Sequence, residues 1–423
     1  MRGVFRVLIS SNLKNAVIRL HVFCACDIII RINSVFTEDV MTNISNSIKY
    51  IGVNDKTIDL FEGQYVVPNG VSYNSYIIID EKIAVFDTVD KRKTEEWLDN
   101  VEIALCGRVP DYLVISHMEP DHSASIDEFL KKYPSVTTVG NEKTFNIAQR
   151  FFGGIFQNKL VVKDGDELSL GSHILKFVFA PMVHWPEVMF SYEMSEKVLF
   201  SADAFGKFGA LDVEEDWTCE ARRYYFNIVG KYGATVQSVL KKAAALDIKT
   251  ICPLHGPILS ENLDYYIGKY NVWSSYLPED KGVTIAYASI YGNTKNAAEK
   301  LAAELEKNGE KVSLFDLSRC DLAEALEDAF RYDRLVLASV TYDGGILPAM
   351  EDFINHLKIK NYQSRTVAFI ENGSWAPMSG KLMREKFNGV KNITFTDTTI
   401  TVKSVIDNQT VEQLKALVAE LTK

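Results

Sequence analysis

Histidines and carboxylates crowd one short stretch of the chain: Ile115-Ser116-His117-Met118-Glu119-Pro120-Asp121-His122 puts two imidazoles and two acids side by side. Further on come His184 in Pro181-Met182-Val183-His184-Trp185-Pro186, Asp203 in Phe200-Ser201-Ala202-Asp203, and His255 in Cys252-Pro253-Leu254-His255-Gly256. Each follows an apolar, strand-like run, and loops at strand ends commonly carry sites. The chain has only 7 histidines, and His117, His122, His184 and His255 all fall in these segments, while His21, His173 and His356 look ordinary. Any one of these residues alone would more often be a structural hydrogen-bonding group. Together they make a metal-ligating set, and mixed imidazole and carboxylate donors suit iron. A zinc-bound hydroxide that attacks a thioester or amide is the competing chemistry.

A second chemistry is written later in the chain. Ser289-Ile290-Tyr291-Gly292-Asn293-Thr294 follows the apolar run Val283 to Ala288 and precedes a helical pattern. That arrangement wraps N–H groups and hydroxyls around a phosphate at a helix N-terminus. It lacks the lysine of a nucleoside-triphosphate loop. Two more loops, Thr341-Tyr342-Asp343-Gly344-Gly345 and Asn372-Gly373-Ser374-Trp375, each follow an apolar strand, as ligand loops of open sheets do. The three loops resemble those of flavodoxins, and the resemblance makes Trp375 a candidate to stack on a flavin, with the glycines letting backbone approach it. Any one of these loops could be an ordinary turn.

The elements that must position these residues change rhythm along the chain. From Tyr50 to about Leu277, short β-rich runs come first: Gln64 to Val67, Ser75 to Ile79, Lys82 to Phe86 and Tyr112 to Ile115. Others follow at Thr137 to Val139, Lys159 to Val162, Ile174 to Phe179, Lys197 to Phe200 and Thr250 to Cys252, with a helix over Arg222 to Leu246. Many strands with interspersed helices predict a layered sheet domain. The polar break Leu277 to Gly282 sets the boundary, giving domains over 41–278 and 279–423. After it, strand and helix alternate, and the wholly apolar run Leu335-Val336-Leu337-Ala338 predicts a doubly wound parallel sheet covered on both faces.

Composition removes other classes. With 423 residues, 47% apolar and 24% charged, the chain has the balance of a two-domain globular protein. A net charge of −10 with scattered bases argues against nucleic-acid and anionic-membrane surfaces. The six cysteines, Cys24, Cys26, Cys106, Cys219, Cys252 and Cys320, form no C-x-x-C pair, so neither a zinc knuckle nor a rubredoxin centre is encoded, and a reducing compartment suits them. Residues 1–40 are set apart as an extension of unclear role. Their apolar runs are broken by Arg19, Asp27 and Arg31, short of the ~18–20 residues that span a bilayer.

The run His117-x-Glu119-x-Asp121-His122, with His184, Asp203 and His255 after it, resembles the metallo-β-lactamase superfamily, and Glu119 resembles its flavodiiron branch. The match covers Met41 to Lys423; Ala124 stands where glycine is frequent. The resemblance implies an αββα metallo-β-lactamase-like domain followed by a flavodoxin-like domain, two irons and FMN. It implies that His117, Glu119 and His184 hold one iron, that Asp121 and His255, with His122 added, hold the other, and that Asp203 bridges them. Tyr224 and Tyr225 resemble a tyrosine that approaches the metal pocket, with Tyr225 taken as the catalytic candidate. A packed helix aromatic is the equal alternative.

The activity so implied is reduction of dioxygen to water, of nitric oxide to nitrous oxide, or of both, by a cytoplasmic enzyme. Four electrons are needed for dioxygen and two for a pair of nitric oxides. Two irons and one flavin together hold four. A head-to-tail homodimer, alone or as a dimer of dimers, is expected, with a separate rubredoxin or NAD(P)H-dependent reductase as donor. A zinc hydrolase with an appended flavodoxin, and an electron-transfer module with a structural or sensory metal, remain the other readings.

Overall fold

The computed structural model describes residues 43 to 423, so the 1–40 extension, Cys24 and Cys26 lie outside the described residues. The first half is built on two sheets. One runs in the order Ile48–Tyr50, Tyr76–Ile78, Ala84–Phe86, Tyr112–Val114, Thr137–Gly140, Lys159–Val161, and is parallel from Ala84 onward. The other runs Glu167–Ser169, Ile174–Phe179, Met189–Glu193, Val198–Phe200, Thr250–Cys252. Its hairpins are antiparallel until the last pair, Val198–Phe200 with Thr250–Cys252, which is parallel.

The two sheets bury one core between them. Ile48, Tyr76, Phe86, Val114 and Val139 from the first meet Leu175, Phe177, Met189 and Phe200 from the second. Phe86 and Phe200 stack at 4.1 Å between centroids, which ties the sheets face to face.

The second half is one sheet of five parallel strands in the order Val312–Asp316, Asp280–Ala288, Tyr332–Tyr342, Arg365–Asn372, Ile393–Val402. Counted along the chain this is the 2-1-3-4-5 order of the flavodoxin-like class. Leu335, Val336, Leu337 and Ala338 are all fully buried, as a strand covered on both faces requires. Full burial of each larger side chain contributes about 1.5–3 kcal/mol, so a charge at Leu337 would break this sheet.

Two elements differ from the sequence-based expectation. The strand begins at Asp280 instead of Val283, because Asp280 pairs with Tyr332 across a bulge and draws the polar break into the sheet. We place the domain boundary just before it. The helix expected over Arg222 to Leu246 is broken into Trp217–Tyr224, a π turn at Tyr225–Val229, a 3₁₀ turn at Gly230–Tyr232, and Gly233–Ala243. Where the last of these pieces starts only glycine fits: a Cβ at Gly233 would lie 2.4 Å from the Ser274 carbonyl, and its N–H donates to Tyr276 Oη at 3.1 Å. Close packing on the helix Leu263–Ser274 thus overrides helix propensity.

The two halves are joined through buried charge. Arg222 donates to Glu279 at 2.8 Å and to Glu327 at 3.2 Å, and Trp273 Nε1 donates to Glu279 at 2.7 Å. Phe226 stacks on Phe330 at 4.2 Å beside them.

Candidate di-metal centre and flavin cleft

The strand Tyr112–Val114 delivers the first donors to the rim of its sheet. Glu119 caps the short helix Pro120–Ser123, whose first residue is proline, a residue pre-set for that position. The Thr88 amide and hydroxyl both donate to the His122 carbonyl at 2.8 Å, so the turn that aims Asp121 and His122 is pinned from a neighbouring strand end. His184 comes from the loop between Ile174–Phe179 and Met189–Glu193, Asp203 follows Val198–Phe200, and His255 follows Thr250–Cys252. Ala202 (φ 46°) and Phe205 (φ 68°) near Asp203, and Met182 (φ 65°) near His184, are left-handed without being glycine. Such strain clusters at functional sites.

The donors fall into two groups. His117, Glu119, His184 and Asp203 offer ligand atoms within 4.8 Å of one another, and Asp121, His122 and His255 do the same. In the first, His184 Nε2 lies 2.8 Å from Glu119 Oε2 and 3.1 Å from Asp203 Oδ2. In the second, His122 Nε2 and His255 Nε2 are 2.9 Å apart, each within 3.3 Å of Asp121 Oδ2. Asp203 joins the groups: Oδ2 faces His117 Nε2 and Oδ1 faces His122 Nε2, both at 3.5 Å.

The surroundings fix which nitrogen faces inward. His117 Nδ1 donates to Glu187 Oε1 at 2.8 Å, and His255 Nδ1 donates to the Ser72 carbonyl at 2.7 Å. A proton held on Nδ1 leaves Nε2 as a lone pair. Burial pulls the His122 imidazole down to about 4, so it is neutral, the ligating form. Burial would also lower His184, but Asp203 and Glu119 outweigh it and push it up to about 9. Burial pushes the Asp87 carboxyl up to about 7 while its Oδ1 accepts from the Ser116 and His117 amides at 2.7 and 3.2 Å.

These donors fit a pair of cations and little else. Both oxygens of Asp121, both oxygens of Asp203 and His184 Nε2 are buried without a hydrogen bond. Each such group costs about 1–3 kcal/mol, more when charged. Two inward-facing Nε2 atoms 2.9 Å apart repel as lone pairs and attract only through a shared cation or proton.

The flavin-type cleft, about 510 Å³, lies at the carboxyl ends of the second half's strands. Ser289, Ile290, Tyr291, Asn293, Thr294, Thr341, Tyr342, Asp343, Gly344, Asn372, Gly373, Ser374 and Trp375 all line it. Gly292 and Gly345 shape the turns without lining the cleft. Gly292 (φ 86°) is the N-cap of Asn293–Lys307 and offers no side-chain cap, so that helix start is open to a phosphate. Gly373 is required by space: a Cβ there would lie 2.7 Å from Pro377 Cα. A neutral cradle with a bare helix start fits a flavin phosphate.

Sequence reasoning missed several residues. Glu187 lies three positions after His184 and could have been read as its companion. Glu62, whose side chain faces Glu119, carries no motif. Val340, Ala376, Met378 and Ser404 complete the cleft from loops that look bland. The structure places the two tyrosines differently, with Tyr225 turned away from the donors. Its ring packs on Tyr270 and Trp273 at 5.1 and 5.5 Å, whereas the Tyr224 ring lies 5.4 Å from His255. Tyr224 closes the helix Trp217–Tyr224 and Tyr225 opens the π turn.

Facing sheets with a paired metal-donor cluster at their rim, joined to a flavodoxin-like sheet with a phosphate-type cleft, define a metalloflavoprotein oxidoreductase. Family models agree: the ODP family beta-lactamase model matches residues 71–256 and the flavodoxin domain model residues 284–392. An uncharacterized protein of Methanocaldococcus jannaschii is 30% identical over 363 residues, 84% of this chain and 91% of that one. A nitric oxide reductase of Moorella thermoacetica is 28% identical over 358 residues, 82% and 90% of the two chains. Among solved structures, the rubredoxin oxygen:oxidoreductase of Desulfovibrio gigas superposes with a TM-score of 0.85 at 26% identity, over 90% of this chain and 98% of that one. The chain belongs to the flavodiiron protein family.

Proposed function

We propose that the chain reduces dioxygen to water, nitric oxide to nitrous oxide, or both. His117, Glu119 and His184 would hold one iron, Asp121, His122 and His255 the other, and Asp203 both. The observation that carries this reading is Asp203, buried, unbonded, and showing one oxygen to each donor group. The loop Ser289–Thr294 and the loops after Val340 and Asn372 would hold FMN. When bound, the irons and the flavin supply the electrons that the two gases require.

The chain's own residues prepare that chemistry. Glu187 and the Ser72 carbonyl keep protons on the outer nitrogens of His117 and His255, so that the inner ones remain free. Phe61 and Tyr224 set their rings 5.4 Å from His255 and line that side with apolar surface, which excludes water. Glu119 stands where the zinc hydrolases of the superfamily have histidine, and a carboxylate there favours iron over zinc.

Electrons would come from a separate rubredoxin or an NAD(P)H-dependent reductase, and a head-to-tail homodimer, or a dimer of such dimers, would bring one subunit's flavin to the partner's metals. The widely spaced cysteines suit a reducing compartment, and on that ground we place the enzyme in the cytoplasm. The test is anaerobic reduction of iron- and FMN-loaded protein, then consumption of each gas at equal electron supply. Turnover of at least one gas is expected. Consumption of neither, or thioester hydrolysis by a zinc-loaded form, would overturn the reading.

A further inference from the structure

A second cleft, about 610 Å³, is formed by both halves of the chain and shares no lining residue with the metal donors or the flavin cleft. Its volume falls in the range of small-molecule sites. Lys231 and Thr235 come from the first half, and Lys358 and Lys391 from the second. No Asp or Glu lines it, although acids outnumber Lys and Arg by 56 to 46 in the chain.

None of the three ammonium groups has an ion-pair partner among the described residues, whereas Lys207, Lys269 and Lys386 are all paired with glutamates. All three are exposed, and an anion in the cleft would supply the counter-charge that its lining does not. The dipole of the helix Pro348–Ile359 accounts for Lys358 in its last turn. It does not account for Lys391, in a loop, or for Lys231, whose 3₁₀ turn runs straight into the start of another helix.

That start is the second observation. The helix Gly233–Ala243 opens at this cleft, with Ala234 and Thr235 in the lining, and its N-cap, Tyr232, gives no side-chain hydrogen bond. The Gly233 N–H is taken by Tyr276 Oη, which leaves those of Ala234 and Thr235 as the first-turn donors to an anion. Tyr362, also in the lining, is 1% exposed, and its hydroxyl has no hydrogen-bond partner. The Tyr232 ring, half-buried in the lining, adds an aromatic face.

We propose that this cleft binds a nucleoside polyphosphate, its phosphates met by the three lysines and the start of Gly233–Ala243, and its base by Tyr232. Because the lysines come from both halves, the bound nucleotide ties the halves together.

The test uses full-length protein loaded with iron and FMN, so that neither cofactor site competes for phosphate. ATP, inorganic pyrophosphate and adenosine are titrated by calorimetry, and thermal unfolding is followed with and without ATP. ATP should bind most tightly, pyrophosphate more weakly and adenosine not measurably, and saturating ATP should raise the unfolding midpoint. Lys358→Glu and Lys391→Glu should each weaken ATP by about tenfold or more with FMN content unchanged. Affinity unchanged in both variants, or no saturable binding of ATP, would overturn the proposal. Pyrophosphate binding as tightly as ATP would overturn the part assigned to Tyr232.

Discussion

The donors around Asp203 and the cleft for the flavin solve the problem of holding a cofactor in opposite ways. His117, His122, Asp203 and His255 are all at most 1% exposed, set by hydrogen bonds from other strand ends, and left with buried polar atoms that lack partners. The flavin cleft is a surface feature whose walls include Tyr291 and Trp375, each 92% exposed, and whose donors come from backbone at a bare helix start. The first site is preassembled at an energetic cost that bound cations offset. The second costs the fold little, and its aromatic walls await cover from the ligand or from another subunit.

The largest effect should come from the residue that joins the two donor groups. Asp203→Ala should remove both metals and abolish turnover while leaving FMN in place, as read by iron content and flavin absorbance. Retention of two irons would break the contrast. Glu187→Ala leaves every ligand intact but frees His117 Nδ1, so iron affinity should fall about 10- to 100-fold, measured by competition with a chelator. The mirror experiment is Gly373→Val, which drives a side chain into Pro377. FMN affinity should fall about tenfold with iron content unchanged.

The smallest effect concerns the joint between the halves. Burial alone would raise Glu279, but Arg222, Lys269 and Trp273 outweigh it and hold its carboxyl at about 2. A depressed carboxyl contributes stability that is present above the unfolded value of about 4.3 and is lost as pH falls toward about 2. Glu279→Gln should therefore flatten the acid limb of the stability curve between those values, in urea unfolding at a series of pH values. An unchanged acid limb would remove Glu279 from the account.

The same contrast explains what could be read from sequence. The metal donors were legible because each sits in a local cluster after an apolar strand, and the phosphate loop because strand, turn and helix follow one another directly. Glu187 and Ser72 were not, since their meaning depends on contacts far along the chain, such as the 70 residues that separate His117 from Glu187. The Tyr224 and Tyr225 pair shows the limit most clearly. A π turn interrupts the helix after Tyr224, and Gly233 packs closely on Ser274, neither of which a periodicity records.

Iron-edge anomalous diffraction from the metal-loaded protein tests the central claim most directly. The account predicts two irons per chain, one among His117, Glu119 and His184, one among Asp121, His122 and His255, with Asp203 between them. A single metal, zinc in either position, or Glu119 turned away from the metal would contradict it.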